Sequence, residues 1–279
     1  MISDPYAPIA ELYDLEHAGF RDDIDLLLSF ADIVGDPILE MGCGSGRIML
    51  PLAEAGYDVT GIDRSAAMLD RARTASGGRS LEGSIQFMEG SMLDADAAPG
   101  GPFGLVIFSL NALMHLPFAA EQRAALVSAL RALDPKGQLI LDLMNPTPDH
   151  LSSLGSTPIL EGSWELPDGS NVDKWGHRRV HPTSQIIDTL LWYDRVEPNG
   201  TLHRTRSRFP LRYIHAAELQ LMLELAGFTE VRMYGSYEMD PFDDDSERLF
   251  VTAEVIPSDP NVVHRENARS DAIDTPNIT

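Results

Sequence analysis

Three glycines at alternate positions, Gly42, Gly44 and Gly46, follow a short apolar run in ILEMGCGSG, and an acid, Asp63, closes the next apolar run, YDVTGID. Glycines at this spacing let a backbone turn sharply and approach a ligand with no Cβ atoms in the way. A helix starting there offers unpaired N–H groups. An acid at the end of the second strand is placed to accept hydrogen bonds from ribose hydroxyls, as it also is in dinucleotide enzymes. Two details separate the possibilities. The glycines run G-x-G-x-G and not G-x-G-x-x-G, and Glu40 stands two residues before the first of them. A carboxylate there is unwelcome to a pyrophosphate and suits an ammonium or sulfonium group.

Polar residues follow two later apolar runs: Asn111 and His115 after FGLVIFSL, and Asn145 after QLILDLM. Ligands of open parallel sheets sit beyond the carboxyl ends of the strands, so these three are candidate substrate-binding residues. His115 is also the candidate catalytic group, as base or orienter, because an unperturbed imidazole titrates near neutrality. The structural alternatives are a His115 that caps or packs against the next helix, and asparagines that satisfy loop backbone.

The elements that must position these residues alternate. Residues 20–34 place Ile24, Leu27, Leu28 and Ala31 at helical spacing, with Asp22 and Asp23 at the favourable end of the dipole. ILEM is a strand, and the helix after Gly46 ends at Gly56, with Pro51 inside it predicting a kink or a displaced start. YDVTGI is a second strand, Ser65 caps the helix AAMLDRARTA, and SIQFME is a third strand. FGLVIFSL is apolar throughout, as a central parallel strand buried on both faces must be. A helix over 119–133, a turn at 134–137 and the strand QLILDLM follow. This alternation predicts an α/β fold with a doubly wound parallel sheet.

The pattern then changes. PILEGSWEL, VDKWGHRRV, QIIDTLLWYDRV and TLHRTRSRF are short β-rich runs, with Asn199-Gly200 as a hairpin signal between the last two. They predict an inserted antiparallel sheet. AAELQLMLELAG is helical up to Gly227, and FTEVRMYGSY and RLFVTAEVI are closing strands. From Pro257 the chain is polar and aperiodic, which predicts disorder.

Composition narrows the partners. The chain has 279 residues, 43% hydrophobic and 23% charged, and a net charge of −22. That charge argues against nucleic acid and anionic membrane surfaces and tolerates a cationic cofactor or an amine. No apolar run is long enough to span a bilayer, and the opening MISDPYAPIAELYD lacks the pattern of a secretory leader. The one cysteine, Cys43, excludes an internal disulfide. These features together predict a soluble, cytoplasmic protein. Asp243 to Asp245 are read as solvated acids, and no metal is predicted.

ILEMGCGSG, GIDRS, EGSML and LDPKGQLILDL, taken in this order with the two closing strands, resemble the class I S-adenosylmethionine-dependent methyltransferases. The resemblance runs from about Tyr13 to Ile256, except for the insert. It implies a mostly parallel, seven-stranded Rossmann-like sheet ending in a reversed hairpin, and S-adenosylmethionine as cofactor. Gly42, Gly44 and Gly46 would line the methionine part with Glu40 nearby, and Asp63 with Arg64 would form the ribose turn. Met68, Ser91 and Met92 would border the adenine, and Leu110 would touch adenine or methionine. Tyr13 would close over the cofactor from an N-terminal helix, or serve as a core aromatic. Ser91 and Gly104 depart from the family's habit of an acid at those places.

The implied organisation is an N-terminal helical cap (1–35), a cofactor-binding core (36–150 and 215–256), an inserted β subdomain (157–214) and a tail (257–279). The insert resembles that of small-molecule methyltransferases, sugar N-methyltransferases among them, where it covers the active site or builds a dimer. A small-molecule substrate and a homodimer through the inserted sheet are therefore implied. Residues 157–215 hold eight basic residues against seven acids. Arg204, Arg206 and Arg208 share one strand face, as a site for an anionic group or as a charged outer face that blunts strand pairing. Trp164, Trp175 and Trp192 floor a substrate pocket or form the insert's own core. The function implied is methyl transfer to nitrogen or oxygen of a small molecule. The alternatives are a cofactor-binding protein without turnover and an NAD(P)-dependent oxidoreductase.

Overall fold

The computed structural model describes residues 4–17, 19–155 and 157–255, so the tail expected to be disordered (257–279) lies outside the described residues. The chain begins with α1 (Ala10–His17), α2 (Asp22–Val34), β1 (Ile38–Met41), α3 (Met49–Glu54), β2 (Val59–Asp63) and α4 (Ala66–Ser76). β3 (Ile85–Glu89), β4 (Phe103–Phe108), α5 (Ala119–Ala132) and β5 (Leu133–Met144) follow. After α6 (Pro148–Ser153) come β6 (Ile159–Glu165), β7 (Asn171–His181), β8 (Ile186–Val196) and β9 (Leu202–Arg212). The chain closes with α7 (Ala216–Ala226), β10 (Glu230–Tyr234) and β11 (Arg248–Glu254).

Seven strands form one sheet in the order β10-β11-β5-β4-β1-β2-β3. β1 to β5 pair in parallel, and β11 runs antiparallel to both β5 and β10, which makes the reversed hairpin. β1 lies between β2 and β4, where the direction of winding reverses and a crevice opens beyond the strand ends. Strand residues alternate between the two helical layers. Leu39, Met41, Val106 and Phe108 pack with α5 and α7, whereas Ile38, Leu105 and Ile107 pack with α2 and α3. Leu105 to Phe108 are fully buried, each contributing about 1.5–3 kcal/mol. That two-sided burial is why the run FGLVIF has no polar alternation.

Local signals act as their chemistry predicts. α3 begins at Met49, which puts Pro51 in the first turn, where no helical N–H partner is required. The start is displaced to accommodate it. Ser65 caps α4 by accepting from the Met68 N–H at 3.2 Å. Residues 134–137 loop out between the pairs Phe103–Leu133 and Leu105–Gln138, with the Asp134 carboxylate accepting from the Lys136 N–H.

The second sheet, β6-β7-β8-β9, is antiparallel. One face grips the N-terminal segment. Ile9 packs with Val172 and Tyr193, the Ser207 hydroxyl donates to the Pro5 carbonyl at 2.6 Å, and buried Lys174 pairs with Glu16 and Glu161. The segment from Asp4 through α1 therefore lies between the inserted sheet and the crevice of the main sheet. Among the described residues, no helix is long and apolar enough to cross a membrane.

Candidate functional site

A cleft of about 1000 Å³, counting its open mouth, occupies the crevice beyond β1, β2 and β4. The loop after β1 forms its floor. The Gly42 and Cys43 N–H groups both donate to the Ile62 carbonyl, at 2.7 and 3.0 Å, folding the loop back over β2. Gly42 and Gly44 have φ of +76° and +54°, the left-handed region that side chains disfavour. A Cβ at Gly42 would stand 3.2 Å from the Ala112 Cβ, and one at Gly44 would stand 3.3 Å from the Met68 Cε. Gly46 does not line the cleft; its close neighbours are Ala72 and Leu50, so it serves helix packing.

Two carboxylates define the polar ends. Asp63 accepts from the Gly44 N–H at 2.9 Å and from the Ser65 N–H at 2.8 Å, one on each oxygen. Burial raises its pKa against those two bonds. Each oxygen keeps a further lone pair for a diol. Glu40 is buried, accepting from the Met49 N–H at 3.2 Å and the Ser109 hydroxyl at 3.0 Å. Burial pushes its pKa up to about 8, although Arg47, Ser109 and Met49 oppose the rise. Arg47, beside it in the cleft wall, is held by a two-pronged bond to buried Asp23 and lies over the Phe20 ring. A site with a buried carboxyl at one end, its charged form disfavoured by burial, suits a ligand that brings its own positive charge.

Met68, Ser91, Met92 and Leu110 line the wall between these ends, and Arg64 lies exposed at the mouth. The Ser91 hydroxyl is engaged as a cap, accepting from the Leu93 N–H at 3.2 Å. Tyr13 and His115 also line the cleft, in company the sequence reading did not foresee. Tyr6 stacks on Phe209 of β9 at 5.3 Å between ring centroids, and His115 lies at 5.3 Å from the same ring. Tyr13 meets Tyr6 edge-on at 5.8 Å. The Tyr6 Oη lies 3.2 Å from the His115 Nε2. Burial pushes the His115 pKa down to about 4, helped by the charge of Arg64, and holds the Tyr6 phenol well above its usual value. Both are neutral at physiological pH.

The structure bears on alternatives that the sequence leaves open, and it places two expected substrate contacts away from the cleft. Asn111 and Asn145 do not line the cleft. The Asn111 Oδ1 accepts from the Met144 N–H at 2.6 Å, and the Asn145 Nδ2 donates to the Ser246 carbonyl at 2.8 Å, so both stitch strand ends together. None of the three tryptophans lines the cleft. Trp164 packs beside Val172 and Tyr193, and Trp175 and Trp192 stack at 6.2 Å on the other face of the inserted sheet. Arg204 is paired with Asp194 and Arg208 with Asp188, which leaves Arg206 as the member of the stripe with no ion pair among the described residues. Asp243 accepts from the Ser246 hydroxyl and the Asp245 N–H, closing a small turn. Among the described residues no cluster of His, Cys, Asp or Glu is arranged to hold a metal ion.

Residues missed from the sequence are Asp4, Tyr6, Arg47 and Ser109, which line the cleft, and Phe209, which packs behind Tyr6 and His115 without lining it. Asp4 reaches the cleft by accepting from the Ser65 hydroxyl at 2.6 Å. Only Arg47 carried a local signal, since a cation directly after the glycine loop sits beside the acid of β1. The others arrive through tertiary contacts.

The sequence profile of a methyltransferase domain matches residues 38–137. "Putative methyltransferase YqeM" of Bacillus subtilis (strain 168) is 33% identical over 223 residues, covering 78% of this chain and 83% of that protein. The cypemycin N-terminal methyltransferase of a Streptomyces species is 25% identical over 251 residues, covering 88% and 94%. Among solved structures, the CcbJ methyltransferase of Streptomyces caelestis matches with a TM-score of 0.71 at 24% identity, over 91% of this chain and all of that one, a likeness of fold. The order of the sheet, the G-x-G-x-G loop with its preceding acid, and these relatives agree: the chain belongs to the class I S-adenosylmethionine-dependent methyltransferases.

Proposed function

We propose that this enzyme methylates a nitrogen of a small molecule bound against Tyr6, His115 and Phe209. The observation that carries the reading is the Tyr6–His115 pair, closed on itself inside an aromatic wall. S-Adenosylmethionine supplies a methyl group already activated by its sulfonium. A neutral amine attacks such a methyl with its own lone pair, whereas a hydroxyl gains from a base near neutrality. His115 is too weakly basic for that role and the Tyr6 phenol too weakly acidic to give a phenolate. Their task is to orient the acceptor and exclude water, and alignment of this kind supplies roughly 7–11 kcal/mol of barrier reduction. An oxygen acceptor is the second reading. The name of the cypemycin N-terminal methyltransferase, a relative over most of the chain, is consistent with nitrogen.

In this reading Gly42 and Gly44 lie under the methionine part of the cofactor, and Glu40 faces its ammonium. Asp63 takes the ribose hydroxyls, with Arg64 beside it. Met68, Ser91 and Met92 border the adenine, and Leu110 lies between. Tyr13 and the N-terminal segment close the cleft, and β9 of the inserted sheet covers the acceptor. The opposite face of that sheet, with the stacked Trp175–Trp192 pair and Arg206, which has no ion pair among the described residues, in one cross-strand row, is the contact between two copies. A cytoplasmic location fits a chain whose one cysteine is buried and free. The test is production of S-adenosylhomocysteine from S-adenosylmethionine with a panel of amines, phenols and alcohols. Turnover with amines supports the reading, and turnover confined to hydroxyl compounds overturns it.

A further inference from the structure

Asp142, near the end of β5, is a buried carboxylate that does not line the cleft. One of its oxygens accepts from Arg248, with Nε at 2.8 Å and Nη2 alongside. The other accepts from the Tyr237 hydroxyl at 3.0 Å and from the Leu110 N–H at 3.1 Å. Its main-chain carbonyl takes the Asn111 N–H at 2.8 Å. Leu110 and Asn111 have φ of +40° and +67°, two successive non-glycine residues in the left-handed region. Backbone of this kind persists only where its surroundings over-determine it, and it gathers at functional sites. Here the determination comes from β5: Asp142 holds both N–H groups of the turn, and the Asn111 side chain accepts from Met144.

The other side of the turn is the cleft wall. Ser109 donates to Glu40, Leu110 lines the cleft, and the Ala112 Cβ faces Gly42, 3.2 Å from where a Cβ there would stand. A relaxed turn would shift all three at once. The neighbours of Asp142 on its own face of the sheet, Ile140 along the strand and Phe250 opposite it on β11, are buried and apolar, so strand packing alone gives no reason for a charge there. Arg248 and Tyr237 aim the carboxylate, and the Arg248 guanidinium lies 5.0 Å from the Tyr237 ring centroid.

We propose that Asp142 is a positioning residue, which holds the strained Leu110–Asn111 turn so that the cleft wall fits the amino-acid end of the cofactor. This rests on the reading that Glu40 marks that end. Because the turn carries Ser109 against Glu40 and Ala112 against Gly42, the loss of Asp142 should be felt mainly at the amino-acid end of the ligand. The probes are S-adenosylhomocysteine and 5′-methylthioadenosine, which shares the nucleoside and thioether but lacks the amino-acid part. Their affinities are measured by calorimetry on the full chain. In the pair Asp142→Ala with Arg248→Gln both charges leave together, so no buried charge is stranded. It should weaken S-adenosylhomocysteine about tenfold or more and change methylthioadenosine less than about threefold. Asp142→Asn with Arg248→Gln restores an acceptor for the Leu110 N–H and should recover most of that loss. Asn111→Gly, which a φ of +67° tolerates, removes only the side-chain tie to Met144 and should give a smaller loss of the same selectivity.

Equal weakening of both probes, or an unchanged S-adenosylhomocysteine affinity in a folded variant, overturns the proposal. If the alanine pair does not fold, Asn111→Gly decides the matter by the same criterion. Glu40→Gln in the same assay tests the orientation separately: it should weaken S-adenosylhomocysteine alone. If it does not, the orientation is wrong whatever the Asp142 variants show.

Discussion

The Tyr6 hydroxyl and the His115 Nε2 lie 3.2 Å apart although 109 residues separate them in the chain. Tyr6 arrives from the N-terminal segment, His115 from the turn after β4, and Phe209 of the inserted sheet contacts both rings. Three parts of the molecule thus meet at one edge of the cleft, with Phe209 backing the two rings that line it. With the His115 pKa at about 4, the imidazole is neutral across the physiological range and cannot give a pH–rate inflection between about 5 and 8. His115→Gln should therefore lower kcat by about tenfold or more while leaving the shape of the profile unchanged. A working base would instead flatten the acid limb when removed. Stability carries a matching sign. The unfolded imidazole binds its proton near 6.5 and the folded one near 4, so stability from this group falls as pH drops through that window. His115→Gln should blunt the acid sensitivity of the melting temperature there.

Glu40 works in the opposite sense. Its folded pKa of about 8 exceeds the ordinary 4.5, so the native state holds a proton that the unfolded chain releases. Stability is lost as pH rises from about 4.5 to 8, and Glu40→Gln should be the more stable protein at pH 8, by an amount on the order of a few kcal/mol. An ammonium placed beside Glu40 favours the carboxylate. Binding of S-adenosylhomocysteine at pH 7 should then release close to one proton, visible as a dependence of calorimetric enthalpy on buffer ionisation. Glu40→Gln should abolish that dependence.

Asp63 is tied to the glycine loop and to the start of α4 by two backbone bonds. Its spare lone pairs face the cleft, where the ribose is common to S-adenosylhomocysteine and 5′-methylthioadenosine. Asp63→Ala should weaken both by about 10–100-fold, or roughly 1.4–2.8 kcal/mol. A loss restricted to one ligand in equilibrium binding would remove Asp63 from the ribose.

What the sequence made legible was whatever depends on neighbours along the chain. The glycine loop, Glu40 and Asp63 lie within one strand–helix–strand unit, and Ser65, Gly56 and Pro51 act through backbone bonds a few residues away. The parallel pairing of β1 to β5 followed from alternation, and the reversed hairpin from family resemblance. Tyr6 and Phe209 could not be read this way, because their meeting with His115 depends on how the inserted sheet clamps the first residues of the chain. For Asn111 and Asn145 the sequence could not choose between substrate binding and backbone satisfaction, for a related reason. Their position after a strand is right for a ligand-binding residue, but strand ends have bonding needs of their own, and Met144 and Ser246 claim both side chains. The arginine stripe was one face of a strand, as its spacing indicated; that Asp194 and Asp188 neutralise two of its members lay in the neighbouring strand.

The two faces of the inserted sheet present different surfaces. Phe209 and Ser207 point towards the N-terminal segment, and the row Trp175, Trp192, Arg206 lies on the opposite face. The two indoles are only part-buried, with the Arg204 guanidinium 5.4 Å from the Trp192 ring centroid. Arg206 has no ion pair among the described residues, so the row gains by being covered further, while the remainder of the chain is strongly acidic. Light scattering at micromolar concentration should give about twice the chain mass of 30.6 kDa. Trp192→Glu sets a charge against the contact and should give the single-chain mass, with S-adenosylhomocysteine affinity within about twofold because Trp192 does not line the cleft. Phe209→Ala should do the reverse, leaving the mass unchanged and lowering turnover. A wild-type protein of single-chain mass would end the dimer reading and leave the sheet as a cover for the acceptor alone.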